Sequence, residues 1–132
     1  MEEGIETIFI PKKWRMNFKI KKLKEKNKEM NMVLVEKEEC VPKMLAGADY
    51  VLNGYMEPVE IIDFPFRGKL MYITFLRRRW KRRGENESYF NTYSFHRPGM
   101  KTTDEFGDFL KGLNRKEFDE LCGVWPVLGP LR

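Results

Sequence analysis

The side chains with the most specific chemistry in this sequence are the cations of one short stretch. After Asp63, the run DFPFRGKLMYITFLRRRWKRRG contains no further acid until Glu85 and holds eight basic residues: Arg67, Lys69, Arg77, Arg78, Arg79, Lys81, Arg82 and Arg83. Six of these fill the seven positions from Arg77 to Arg83, with Trp80 as the seventh. Such a run repels itself and requires anions beside it. Arginine presents a planar donor fork that fits two phosphate oxygens or a guanine edge. Trp80, with Tyr89 and Tyr93 beyond the next turn, offers ring faces for stacking on bases or for packing on guanidinium planes. The pattern points to a polyanionic partner, nucleic acid first. An acidic protein surface and a merely solvated hairpin tip are the alternatives.

Other candidate chemistry is weaker. His96 is the sole histidine and stands beside Arg97-Pro98-Gly99, a loop composition. No serine or cysteine has a sequence context that argues for a nucleophile. Cys40, Cys122 and His96 fall short of the four ligands of a structural zinc site, and two distant cysteines make no disulfide framework. Glu36, Glu38 and Glu39 read as solvated charges at a strand end. Asp104, Glu105 and Asp108 fall in the first turns of a helix, where negative charge complements the macrodipole. Gly107 and Gly112 match no phosphate-loop spacing. The expectation is no catalytic residue, no metal and no cofactor.

Composition bounds the frame. A chain of 132 residues that is 42% apolar and 14% aromatic is expected to fold as one domain with a real core. The eight cations exceed the net charge of +5, so the rest of the sequence is net acidic and the basicity is local. Local charge speaks about partners rather than fold. The N-terminal residues lack an apolar signal core, and no apolar run approaches the roughly 18 residues of a membrane helix. A cytoplasmic protein with no membrane partner is expected.

The elements that must position the cations follow from periodicity. Phe18 and Ile20 alternate with lysines, and Met32 and Leu34 alternate with Val33 and Val35 across a polar turn, so the two runs predict a hairpin. Cys40 to Glu57 reads as a loop with one helical turn after Pro42. Val59 to Ile62 predicts a strand ended by Pro65. Lys69 to Trp80 reads as the strongest strand, with Met71, Ile73 and Phe75 on one face. Burying every arginine in that alternation is forbidden by desolvation, so the strand must leave the core near Leu76. A turn at Gly84-Glu85-Asn86 and a return strand over Ser88 to Phe95 put the cations at the tip of a β-ribbon. Thr102 with Glu105, and Asn114 with Glu117, predict two capped helices, the second stopped by Gly123. The expected architecture is α+β: an arm over 1–15, one domain over 16–122 with a small antiparallel sheet, a basic β-hairpin and one or two C-terminal helices, and an extended apolar tail over 123–132.

The motifs VEIIDFPFRGKLMYITFLRRRW and GMKTTDEFGDFLKGL, with the upstream MNMVLVEKEECVP, resemble the N-terminal region of ISAon-type insertion-sequence transposases over about residues 16 to 113. The matching elements are Asp63-Phe64-Pro65, Arg67-Gly68-Lys69, Arg77-Arg78-Arg79-Trp80, Thr103-Asp104-Glu105-Phe106 and Phe109-Leu110-Lys111. The resemblance implies a DNA-binding region that binds transposon ends and works beside a catalytic transposase polypeptide without itself cutting or joining DNA. It also implies a cysteine-less relative of the zinc-ribbon heads of other transposases, with packing of Trp80, Tyr89, Phe90 and Phe95 in place of the metal. Double-stranded DNA is then the expected partner, contacted by Arg77, Arg78, Arg79, Lys81, Arg82 and Arg83. Arg67 and Lys69 extend the footprint, and Trp80 serves packing first and base contact second. A protein-interaction module whose hairpin docks an acidic partner, and an RNA-binding protein, are the rival readings.

Overall fold

The strands form where apolar and polar residues alternate, and the helices where a capping side chain precedes an apolar stripe. A computed structural model describes residues 4 and 8–131. The strands are β1 (Phe18–Glu25), β2 (Glu29–Glu36), β3 (Tyr50–Tyr55), β4 (Val59–Phe66), β5 (Lys69–Leu76), β6 (Arg78–Arg82) and β7 (Ser88–Tyr89). The helices are α1 (Asp104–Gly112) and α2 (Arg115–Val124), with 3-10 turns at Lys12–Trp14, Lys43–Leu45 and Pro126–Leu131. The fold is α+β: a four-stranded antiparallel sheet in the order β1-β2-β5-β4 and a three-stranded one in the order β3-β6-β7. Among the described residues no helix is long and apolar enough to cross a membrane.

Packing divides the chain into two compact units, one of Met1–Leu23, Met32–Val59 and Thr74–Tyr93, the other of Lys24–Asn31, Glu60–Ile73 and Ser94–Arg132. The first unit is built on rings. Trp14 meets Phe75 at 5.0 Å, and Phe18 meets Phe75 at 5.2 Å and Tyr93 at 5.1 Å, all edge to face, the arrangement that the ring quadrupole favours. Trp14 and Ile10 are buried, so this part of the expected arm packs into the first unit. Residues 1–3 and 5–7 of that arm lie outside the described residues.

The second unit packs Ile62 and Leu70 from the sheet against Phe106, Leu110, Phe118 and Leu128. Helix α1 begins one residue later than the sequence pattern predicts. Thr103 rather than Thr102 is its N-cap and accepts from the Phe106 amide at 3.3 Å. The reason is tertiary: the Thr103 hydroxyl also donates to Asp63 at 2.8 Å, while Thr102 is buried in a bridge to Ile62. Helix α2 opens with the expected capping box of Asn114 and Glu117.

Five expectations are corrected. Residues 50–55 are a strand rather than a loop, bulged at Gly54, where φ is 82°. Pro65 lies inside β4 rather than ending it, which an edge strand tolerates because the missing N–H removes no ladder bond. The return strand shrinks to Ser88–Tyr89. Helix α2 runs through Gly123 to Val124, and the tail is a 3-10 helix rather than extended, because winding it buries Leu128 in the second core.

Two measurements test this packing. A Cβ on Gly107 would stand 2.1 Å from Met100 Cε and 2.7 Å from Thr102 Oγ1. Gly107→Ala should therefore lower stability by about 1–3 kcal/mol through overpacking, despite the better helix propensity of alanine, and denaturant melts read it directly. Burial pushes the Asp63 carboxyl above its ordinary range, and the Thr103 hydrogen bond offsets part of that push. Because its folded pKa is raised, the stability tied to Asp63 is present in acid and is lost as pH rises through that pKa. Asp63→Asn should thus raise the melting temperature at pH 7, with the gap closing once the pH falls below about 3.8, the unperturbed value. An equal gap at all pH values would remove the carboxylate as its cause.

Candidate nucleic-acid interface

The basic segment does not form one continuous strand or an isolated hairpin tip. The chain leaves β5 at Leu76 and enters β6 at Arg78, and the two strands belong to different sheets. Arg77 is the break: its carbonyl accepts from the Met56 amide at 2.9 Å, outside any ladder of its own. The change of sheet resolves the desolvation problem that the alternation poses, since continuing the β5 pattern would drive successive arginines into the core. β6 becomes the central strand of its sheet, paired with β3 through Tyr50–Arg82, Val51–Lys81, Leu52–Trp80 and Tyr55–Arg78, and with β7 through Trp80–Tyr89 and Lys81–Ser88.

Directly paired residues share a face. Arg78, Trp80 and Arg82 therefore lie with Leu52 and Tyr89 on one side of β6, and Arg79 and Lys81 lie with Val51 and Ser88 on the other. Arg78 and Trp80 are buried, whereas Arg79 and Lys81 keep solvent exposure and Arg83 is open.

Arg78 is held by Glu36. Its amide donates to Glu36 Oε1 at 2.9 Å, and its Nε donates to the Glu36 carbonyl at 2.7 Å. Its guanidinium stands 3.9 Å from Glu38 and lies over the Tyr55 ring. Glu36 is fully buried and takes two further donors, Asn91 Nδ2 at 2.9 Å and the Tyr93 hydroxyl. The expectation that Glu36 is a solvated charge is thus corrected. Its carboxylate tolerates burial because three donors converge on it. Burial first, and then the hydrogen bond to Glu36 and its charge, push the Tyr93 phenol far above its ordinary range, so Tyr93 stays a donor. Beside this network opens a cleft of about 470 Å3 lined in part by Asn17, Cys40, Phe90, Asn91 and Tyr93. Burial, followed by the charges of Glu36 and Glu39, pushes the Cys40 thiol up and keeps it protonated.

The other cations also have acceptors inside the chain. Arg77 lies 5.6 Å over the Phe90 ring and donates to the Asn91 carbonyl at 3.3 Å. Arg79 Nε donates to the Asn53 carbonyl at 2.8 Å, across the β3 bulge at Gly54. Arg82 stacks 4.9 Å over Tyr89, bonds its hydroxyl, and donates to the Met44 carbonyl at 3.1 Å. Arg83 pairs with Asp49 at 2.8 Å. The Lys81 ammonium makes no hydrogen bond or ion pair among the described residues. The premise that the run needs an external anion to tolerate its own repulsion is corrected: carbonyls and carboxylates of the first unit already offset much of it.

Arg67 and Lys69 belong to the second unit, apart in the chain's packing from the other seven residues. Arg67, with φ 52°, and Gly68, with φ 77°, form the two-residue turn between β4 and β5, the geometry that a tight hairpin asks for. Lys69 donates to the carbonyls of Lys26 and Asn27, each at 2.9 Å, and stands 3.5 Å from Glu25. Its ammonium holds the β1–β2 turn. Trp80 packs against the Tyr50 ring edge at 5.6 Å. Among the described residues no three His, Cys, Asp or Glu side chains are grouped so as to hold a metal ion.

Removing one partner of a buried charged network leaves the other unsatisfied. Glu36→Ala takes the acceptor from the Arg78 amide, Asn91 and Tyr93 together and should cost about 3–5 kcal/mol in denaturant melts. Arg78→Ala keeps that amide bond, loses the Nε bond to the Glu36 carbonyl and should cost about 1–3 kcal/mol. Arg83→Ala, which breaks an exposed pair, should cost less than about 1 kcal/mol. Equal effects at the three positions would show that the Glu36 network is not what holds β6. Comparison of the chain with protein-family models, with curated proteins and with solved structures finds no match.

Proposed function

We propose that this chain is the DNA-binding N-terminal component of an insertion-sequence transposase, which binds the ends of the element in the bacterial cytoplasm and assists transposition while a separate polypeptide performs the catalysis. The observation that carries the reading is the sorting of cations along β6. Arg78 is fixed inward by Glu36, Arg79 and Lys81 keep exposure on the opposite face of β6, and Arg83 is open in the turn just past the strand. Two residues advance about 6.8 Å along a strand, so Arg79 and Lys81, followed by Arg83, offer positive groups to a phosphate backbone. Phosphate contacts of this kind position a protein on a duplex, and base edges supply the specificity. The resemblance of the Asp-Phe-Pro, Arg-Gly and triple-arginine motifs to transposase N-terminal regions supports transposon ends as the target.

The test is fluorescence anisotropy with a labelled duplex that carries the terminal repeat flanking the reading frame, against a scrambled duplex. Tighter binding to the repeat is expected, with an affinity loss on the order of 10³-fold between 50 and 200 mM salt. The combined Arg79→Ala, Lys81→Ala and Arg83→Ala variant should melt cooperatively and bind at least about tenfold more weakly at low salt. Salt-dependent binding without preference for the repeat would remove end recognition. Stronger binding to a single-stranded or A-form RNA would favour an RNA-binding protein, and no nucleic-acid binding at all would leave a protein-docking module.

A further inference from the structure

The arginines of β6 are largely committed within the chain, whereas the lysines of β1 are not. Lys19, Lys21, Lys22, Lys24, Lys26 and Lys28 fall within ten consecutive positions, and every one is exposed. β1 is an edge strand of its sheet, and from Lys21 to Glu25 it is exposed on both faces. Lys21 lies 5.7 Å over the Tyr55 ring. The side chains of Lys19, Lys22, Lys24, Lys26 and Lys28 make no ion pair or hydrogen bond among the described residues. Glu25, the acid within β1, stands 3.5 Å from Lys69.

We infer that the end of β1 and the turn after it are a second phosphate-binding strip, on which Lys24, Lys26 and Lys28 contact the backbone of nucleic acid without reading its sequence. The inference rests on the DNA-binding reading above and adds residues to it. Lysine ammoniums are compact point charges that suit phosphates at any base sequence. Their donors are unspent, so a phosphate displaces only water and counterions, and release of those counterions drives the association. Lysine on an edge strand also blocks edge-to-edge pairing of sheets. That role is met by a charge or two, and it predicts no dependence of DNA affinity on these residues.

The experiment compares salt titrations of DNA binding for the full chain and for two variants, using a labelled random-sequence duplex. One variant carries Lys24→Gln, Lys26→Gln and Lys28→Gln; the other carries only Lys26→Gln and Lys28→Gln in the turn, where the strand ladder is spared. Each lost phosphate contact lowers the slope of log affinity against log salt by about 0.9. The slope should therefore fall by about 2.7 in the first variant and about 1.8 in the second, while the relative preference for the terminal repeat is unchanged. If the unaltered chain binds and both variants keep its slope, the strip is overturned and the β6 interface stands. If the first variant fails to fold, the turn variant alone decides by the same criterion. If the unaltered chain binds no duplex, the strip and the DNA-binding reading fall together.

Discussion

The architecture of the first unit depends on satisfying one buried carboxylate. Glu36 ends β2 with no exposed surface, and an ion in that position is tolerable only when donors surround it. The donors come from three places in the chain: the amide of Arg78 at the start of β6, the side-chain amide of Asn91 and the hydroxyl of Tyr93. Arg78 returns the contact by donating to the Glu36 carbonyl. Asn91 also donates to the Cys40 carbonyl at 2.7 Å. One acid thus ties together β2, the segment after it, the entry to β6 and the segment after β7. Leu or Met at position 36 would bury more comfortably but would set none of these registers.

This constraint has a consequence for the cations. Once Arg78 is locked, strand geometry decides the orientation of its neighbours, since successive side chains point to opposite faces. Trp80 follows Arg78 inward and packs on Tyr50, and Arg79 and Lys81 turn to the other face. Arginine is suited to both duties. Its fork can give one donor to a carbonyl and retain others, as Arg79 does with Asn53. A lysine at 78 would offer no lateral Nε–H for the Glu36 carbonyl and no planar face for Tyr55.

The sequence shows much of this and hides the rest for identifiable reasons. The hairpin of β1 and β2, the strand from Lys69 to Leu76 and the Asn114 capping box follow from local pattern, because their determinants are neighbours in the chain. The burial of Glu36 was also legible: Met30, Met32 and Leu34 precede it at two-residue intervals and are all buried, so the alternation points Glu36 inward. Its charge argued the other way, and only the long-range donors decide between the two. β3 was obscured by Gly54, whose positive φ makes a bulge that interrupts the alternation. The acceptors for Arg77, Arg79 and Arg82 are mostly backbone carbonyls, which every residue has and no sequence pattern marks. The choice of Thr103 over Thr102 as a helix cap likewise rests on Asp63, forty positions away.

The chain uses its two kinds of cation differently, and the difference bears on how it would meet a polyanion. The guanidiniums of Arg77, Arg79 and Arg82, at and along β6, are stacked on Phe90 or Tyr89 or bonded to carbonyls, so their positions are fixed before any partner arrives. Preorganised donors lose little further entropy on binding and favour one docking geometry. The ammoniums of β1 stand on flexible stems in water, and ordering each costs entropy when it meets a phosphate. They are poor at fixing a register and good at long-range attraction, which salt screens over about 8–10 Å. On the DNA-binding proposal, lysines that gather a duplex and arginines that seat it would divide encounter from positioning, and neither task requires the buried Arg78 guanidinium to leave the Glu36 carbonyl.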